Sequence, residues 1–259
     1  MKSLISVIKR VTKYQLFLPV ICLFLVLIIN LIQTPSFFHI TMKNGVFYGY
    51  IIDILNRSSG LIIMAIGMTL VVASSGGADI SVGAVSALSG AVCVAALGTD
   101  EVYKMPYFAS ILLALAVGLL CGIFNGFLVS FMKVQPMVAT LILFTAGRGI
   151  AQLVTGSFIL YVKPKNFEYL GSFIPGVPIP TPCFIAAFLA FFTWLVLKKT
   201  ALGMYIQSVG INLKASRLVG LNSRMIIFFT YVFCAFCAAG AGLISVSRTA
   251  SIDANNVGL

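Results

Sequence analysis

Long apolar stretches dominate the chain, and charged residues punctuate them at intervals that suit membrane-crossing helices. A helix rises about 1.5 Å per residue, so about 20 residues cross roughly 30 Å of hydrocarbon. The first apolar run lies between Lys13 and Lys43 and centres on residues 16–32; the second lies between Arg57 and Asp79. A third starts near Ile80 and ends at Asp100, and a fourth covers 108–131. The fifth covers 137–156 with Arg148 inside it, the sixth 184–197 and the seventh 225–246. This pattern predicts an all-α fold, a polytopic transmembrane helix bundle of about seven spans that forms one domain over residues 1–259. Ser74-Ser75-Gly76-Gly77-Ala78-Asp79 joins the second and third runs and is too short for a soluble loop. It predicts a tight turn or a re-entrant break. The first run has a basic start like a signal peptide, but it is long, and Gln33-Thr34-Pro35 follows it with no small-residue cleavage site, so an uncleaved span is expected.

Orientation follows from the connections. With the N-terminus inside, the inner segments hold Lys2, Lys9, Arg10, Lys13, Lys133, Lys198, Lys199, Lys214, Arg217 and Arg224, against Asp79 as their one acid. The outer segments hold Lys43, Arg57, Lys104, Lys163, Lys165 and Arg248 together with five acids. The bias predicts a cytoplasmic N-terminus. Pro164, Pro175, Pro178, Pro180 and Pro182 mark the connection 164–182 as an outer loop, because proline resists helix continuation. Connection 198–224 is the longest inner one, with five basic residues, no acid and a pattern compatible with a short amphipathic helix.

Composition agrees with a lipid environment. The chain is 60% hydrophobic and 9% charged, too few charges to cover a water-soluble globule of 259 residues. The net charge of +11 comes from basic residues scattered between apolar runs instead of gathered on one face, which favours membrane orientation over nucleic-acid binding. In lipid, helices associate through small residues that let backbones approach. Gly118, Gly122 and Gly126 form a doubled GxxxG in the fourth run; Gly83, Ala87, Ala91 and Ala95 repeat the spacing in the third; small residues crowd 238–242 in the seventh. A tightly packed multi-helix body is expected.

Covalent chemistry is poorly provided for. The chain has one histidine, His39, in the first outer loop, and no H-E-x-x-H or G-x-x-x-x-G-K-[ST] motif. Cys234-Ala-Phe-Cys237 matches C-x-x-C in form, but it lies inside an apolar run, and zinc would need further ligands. Cys22, Cys93, Cys121 and Cys183 likewise read as packing residues. No catalytic site, metal site or cofactor is therefore expected, and the chain is not expected to hydrolyse ATP itself. The spans also lack the paired carboxylates of a proton-coupled carrier. Three polar residues stand out as candidates for the interior or a pathway: Asp79, Asn125 between Gly122 and Gly126, and Arg148 in Ala146-Gly-Arg-Gly149. An arginine at the centre of a span costs roughly 2.5–3.5 kcal/mol on insertion scales, so Arg148 is expected to face protein or water.

Several motifs carry a family resemblance. They are Asp53-Ile-Leu-Asn-Arg57, Ala65-Ile-Gly-Met-Thr-Leu-Val71, Gly76-Gly-Ala-Asp-Ile-Ser-Val-Gly83, Phe124-Asn-Gly-Phe-Leu-Val129, Val134-Gln-Pro-Met-Val-Ala-Thr-Leu141 and Ala146-Gly-Arg-Gly149. Lys199-Thr-Ala-Leu-Gly-Met204, Val209-Gly-Ile-Asn212, Ala215-Ser-Arg-Leu-Val-Gly220 and the closing Asp253-Ala-Asn-Asn-Val-Gly-Leu259 continue the series. Over residues 50–259 the chain resembles the permease subunits of sugar-importing ABC transporters of the ribose, xylose and galactose type, and looks most like the galactofuranose branch.

The resemblance implies an ATP-driven importer of a galactofuranose- or ribose-like monosaccharide, working by alternating access in the cytoplasmic (inner) membrane. It implies a cytoplasmic ATP-binding subunit, a second permease subunit (the same or a paralogue) and an extracytoplasmic sugar-binding protein as partners. It also implies that 198–224 is the loop that couples to the ATPase, with Val209, Gly210, Asn212, Lys214, Ala215, Arg217 and Gly220 matching the family pattern. Ala78 departs from the branched residue usual in the family's Gly-Gly-Ile-Asp. Family members usually continue past the closing segment with further spans, so the resemblance also implies C-terminal truncation. The alternatives are a truncated membrane fragment that neither assembles with an ATPase nor transports, and an intramembrane enzyme, which the missing catalytic set disfavours.

Overall fold

The structure is a computed structural model that describes residues 17–34, 36–43, 45–98, 104–162 and 167–253. Lys2, Lys9, Arg10, Lys13, Asp100, Lys163, Pro164, Lys165 and the closing stretch 254–259 lie outside the described residues. A helix occupies each of the apolar runs: α1 (Phe17–Gln33), α2 (Tyr50–Ser75), α3 (Val82–Leu97), α4 (Tyr107–Ser130), α5 (Pro136–Thr155), α6 (Thr181–Lys199) and, after the connection 198–224, α9 (Ser223–Thr249). The connection 198–224, expected on the inner side, folds as two short helices, α7 (Ala201–Ile211) and α8 (Leu213–Leu218). Among the described residues, five helices (α2, α4, α5, α6 and α9) are long and apolar enough to cross a membrane, while α1 and α3 have 17 and 16 residues. None of α1's residues is buried, as suits a helix whose surroundings are lipid.

Two small antiparallel sheets qualify the all-α expectation. β1 (Thr41–Lys43) pairs with β2 (Val46–Tyr48), and β3 (Leu160–Tyr161) pairs with β4 (Ser251–Ile252). Gly45 at φ 77° provides the left-handed backbone that the tight β1–β2 turn requires. The proline-rich connection contains a short 3-10 helix, Phe167–Leu170.

α9 and α3 form the centre. α9 packs along α2, α3 and α4, and α3 is buried on nearly every side between α9, α4 and α5. Small residues make this possible. A Cβ on Gly118 or Gly122 would stand 2.5 Å from Ala239 Cβ or 2.7 Å from Ala235 Cβ, and one on Gly67 would stand 2.9 Å from the Cys234 backbone. The doubled GxxxG of α4 is thus a seam for α9 within the same chain. Cys93, Cys121, Cys234 and Cys237 lie buried in this packing.

Contacts sort the connections to two ends. At one end Gly77 meets Pro136, Ile80 meets Thr140, Ser74 meets Thr230 and Gly210 meets Ala73. Lys133, Lys198, Lys199, Lys214, Arg217 and Arg224 belong to this end by their places in the helices and connections. At the other end Phe47 N donates to Pro178 O at 3.1 Å, Val162 N to Ala250 O at 2.9 Å, and the Arg248 guanidinium to Asn56 O at 3.4 Å. There Ser247 ties the 3-10 helix to α9: its hydroxyl donates to Phe167 O at 2.5 Å and accepts from Gly171 N at 2.8 Å. Ser247→Ala leaves both buried backbone groups without that partner, and is expected to cost about 1–3 kcal/mol. Faster hydrogen exchange at the Gly171 amide, with a lowered unfolding midpoint in detergent, would register the loss.

Candidate functional site

The break between α2 and α3 is built from backbone that cannot use helical hydrogen bonds. α2 ends on Gly76 at φ 66°, and the next regular turn begins at Val82. Non-helical backbone within a membrane protein must find partners in the protein itself. Here side chains supply them. Gly77 N donates to Ser75 Oγ at 3.3 Å, Asp79 N to Met68 Sδ at 3.4 Å, Ile80 N to Thr140 Oγ1 at 3.1 Å and Ser81 N to Asp79 Oδ1 at 2.9 Å. The Ser81 hydroxyl also donates to Asp79 Oδ1, at 2.6 Å, and accepts from Asn125 Nδ2 at 2.8 Å. Asp79 is 4% exposed. Asp79 and Asn125 therefore meet through Ser81, and together they tie the start of α3 to the last turns of α4. Burial pushes the Asp79 carboxyl, in the connection between the two helices, above the ordinary carboxylate range, while the bonds from Ser81 and the Asn125 amide pull against that shift.

Arg148 is not part of this cluster. It lies two turns along α5 from Thr140, roughly 12 Å on the helix rise. Its guanidinium carbon stands 4.7 Å from the centroid of the Phe144 ring, a cation–π contact one turn back on the same helix. Next to it, Gly147 is in ordinary contact with Ala84 of α3. Arg148 is half-buried at the side of the bundle.

The connection 198–224 divides into an anchored and an exposed part. Val209 is buried with Val71, Ile227 and Tyr231, and Gly210 touches the Ala73 carbonyl so closely that any side chain would displace it. These two residues face their own bundle. Asn212 caps α8: its Oδ1 accepts from Lys214 N and Ala215 N, both at 3.0 Å. Arg217 Nε donates to Ser223 Oγ at 2.8 Å, and Gly220 at φ 87° lets the chain turn back into α9. What remains outward is Ile211, Leu218 and Val219, all strongly exposed, with Lys214, Ala215, Arg217 and Arg224 around them. Leu218 is 90% exposed.

Thr140, Ser81 and Met68 are essential to the break and were not among the residues singled out by sequence. Thr140 sits one helical turn after Pro136, inside the Val-Ala-Thr-Leu motif, so a threonine one turn into a helix that follows a break was the available signal. Among the described residues no group of three or more histidine, cysteine or acidic side chains is placed to hold a metal.

An apolar helix bundle with a protein-satisfied break and a basic platform at one end is the architecture of a multi-pass membrane protein. Comparison with known proteins is specific. Residues 50–259 match the family described as branched-chain amino acid transport system / permease component, and the chain belongs to that family. It is 44% identical to the galactofuranose transporter permease protein of Escherichia coli over 92% of this chain and 68% of that protein. It is 36% identical to the fructose import permease protein of Bifidobacterium longum (97% of this chain, 70% of that protein). To the ribose import permease protein of E. coli it is 35% identical (88% and 68%). No solved structure matches the chain.

Proposed function

We propose that the chain is the membrane-spanning subunit of an ATP-driven monosaccharide importer in the cytoplasmic (inner) membrane, with a galactofuranose- or ribose-like substrate. The observation that carries the substrate class is the 44% identity, over nearly the whole chain, to a galactofuranose permease, with fructose and ribose permeases beside it. ATP hydrolysis then belongs to a cytoplasmic partner, and sugar is delivered by an extracytoplasmic binding protein. A second permease subunit completes the pathway.

The platform at residues 211–224 is the surface that meets the ATP-binding subunit. Its base is fixed by Val209 and Gly210 on α2 and by Arg217 on Ser223. Its tip offers exposed leucine and valine among cations, which fits an apolar cleft with an acidic rim. Anchoring matters, because a lever transmits a partner's closure only if its base does not slide. ATP drives reorientation only to the extent that the nucleotide-bound partner prefers one of the two permease states. Asp79 and Asn125, through Ser81, hold two of the helices that reorient. The positive-inside bias supports a cytoplasmic position for this platform.

Co-purification tests the reading. An ATP-binding subunit of a sugar-importing ABC transporter, co-expressed with tagged chain, is expected to be retained on it from detergent-solubilised membranes. Leu218→Asp with Val219→Asp should cut retention at least about tenfold, the effect of roughly 1.4 kcal/mol in binding, without lowering the chain's own stability. Both side chains are exposed, so their replacement breaks no internal packing. Equal retention by the double variant would remove the platform from the interface.

A further inference from the structure

At the end of the bundle that carries the basic platform, a groove of about 700 Å³ runs between α6 and α9. Both helices pack on α2, and Leu70 of α2 lies at the back of the groove. Phe192 and Leu197 belong to one wall, Phe229 and Phe233 to the other. Phe192 and Phe229 are exposed, so the groove faces the surroundings of the bundle and not its interior. Tyr205 of α7 and Leu221 close the end nearest the platform. Gly203 holds α7 against the end of α6, meeting the Leu197 carbonyl so closely that any side chain would displace it.

The groove has the length of one lipid leaflet. From Asn222 to Phe233 its wall follows α9 for roughly 16 Å at the helix rise. Half of a bilayer's hydrocarbon core is about 15 Å. Its polarity also changes from end to end as a phospholipid's does. Away from the platform the lining is phenylalanine from both walls. Toward the platform comes Asn222 and, directly after Leu197, the exposed pair Lys198-Lys199. Asn222 Oδ1 already accepts from Met225 N at 3.3 Å, so its amide nitrogen is the side-chain atom left to donate. Lysine stems lie along apolar surface while their ammonium groups reach headgroup level. The connection 198–224 contains no acid, so nothing in it repels an anion. An acyl chain in a concave slot gains dispersion contacts on several sides, which a convex helix face does not offer.

We propose that this groove binds an anionic phospholipid of the leaflet on the platform side, with one acyl chain between α6 and α9 and the phosphate held by Lys198, Lys199 and Asn222. Basic pockets between membrane helices on the cytoplasmic side hold anionic headgroups in this way. The site goes beyond the importer reading and does not depend on it, because it needs only the membrane-spanning bundle. It sets the lipid beside α7 and Leu221, at the base of the platform.

Native mass spectrometry of the full chain, released from detergent micelles and titrated with dioleoyl phosphatidylglycerol or dioleoyl phosphatidylcholine, tests the site. The first phosphatidylglycerol is expected to bind at least about fivefold more tightly than the first phosphatidylcholine, an effect of the size that cations near a headgroup give. Lys198→Gln with Lys199→Gln should bring that ratio below about twofold. Lys104→Gln with Lys133→Gln, which removes the same charge from the two flanks of α4, should leave the ratio unchanged. Val196→Trp, which fills the groove from α6, should weaken the first binding event of both lipids at least about fivefold. Circular dichroism and gel filtration verify folding, and if Val196→Trp does not fold, the exposed lysine pair carries the test. Equal affinity of the unaltered chain for the two lipids, or a preference that survives loss of Lys198 and Lys199, overturns the proposal. Undiminished binding by folded Val196→Trp overturns it as well. Sugar uptake by the assembled transporter is a separate readout, so a failure of the groove leaves the importer reading in place.

Discussion

Asp79→Ala is expected to destabilise the protein by about 2–6 kcal/mol, seen as a large fall in its unfolding midpoint in detergent. The substitution removes one acceptor that serves two donors, the Ser81 amide and the Ser81 hydroxyl. Each buried donor left without a partner costs about 1–3 kcal/mol. The hydroxyl is in turn the acceptor for Asn125, so its reorientation would disturb the link between α3 and α4 as well. Asp79→Asn keeps a carbonyl oxygen for Ser81 and is expected to lose about 1 kcal/mol or less. Burial already works against the charged form of this carboxyl. Thermal unfolding of the two variants separates geometry from charge. Equal losses in both would show that the negative charge, not the acceptor, holds the break.

The second large effect is expected at Gly242. A Cβ there would run into the Ser86 carbonyl of α3, a backbone atom that cannot rotate away. Gly242→Leu must push α9 off α3, the two helices at the centre of the bundle. Overpacking a core costs about 1–3 kcal/mol even where side chains can adjust, and more where backbone blocks the way. The expected result is loss of the folded, detergent-stable species. Gly240 lies two residues earlier on the same helix, and a Cβ there would meet nothing within 4 Å. Gly240→Leu should therefore leave folding nearly unchanged, and slightly favoured by helix propensity. The pair compares an identical substitution in the same helix, so the difference reports packing alone. Comparable yields of both variants by gel filtration would count against the α9–α3 contact.

The helices were legible because lipid imposes a simple rule: long apolar runs between charges. The expected run 137–156 and the observed Pro136–Thr155 differ by one residue at each end, because Pro136 starts that helix and Gly156 at φ 64° stops it. The seventh run, 225–246, grows at both ends to Ser223–Thr249, since Asn222 caps its start and polar Ser245, Ser247 and Arg248 continue as helix where they face protein. The need for a break near Gly76-Gly77 was also legible, but its partner Thr140 comes from α5 and Met68 from two turns back in α2, and no local pattern connects either to it. The β3–β4 pairing joins Leu160 to Ile252, a contact fixed only once the bundle has formed. In the connection 198–224 the residues matched by family pattern divide physically. Val209 and Gly210 serve the chain's own packing, Asn212 and Gly220 shape the turns, and only Lys214, Ala215 and Arg217 lie on the exposed face. Sequence spacing could not separate those roles, because an inward and an outward residue on a short helix differ only in what packs against them.

The most direct measurement is uptake of labelled sugar into proteoliposomes that contain this chain, its ATP-binding partner and the sugar-binding protein. D-galactose, D-ribose and L-leucine would be offered in turn, with ATP or a non-hydrolysable analogue supplied to the ATPase. ATP-dependent accumulation of a sugar, absent with the analogue and not seen with leucine, is the predicted result. An assembled complex that accumulates no sugar on ATP, or that accumulates leucine instead, would contradict the account.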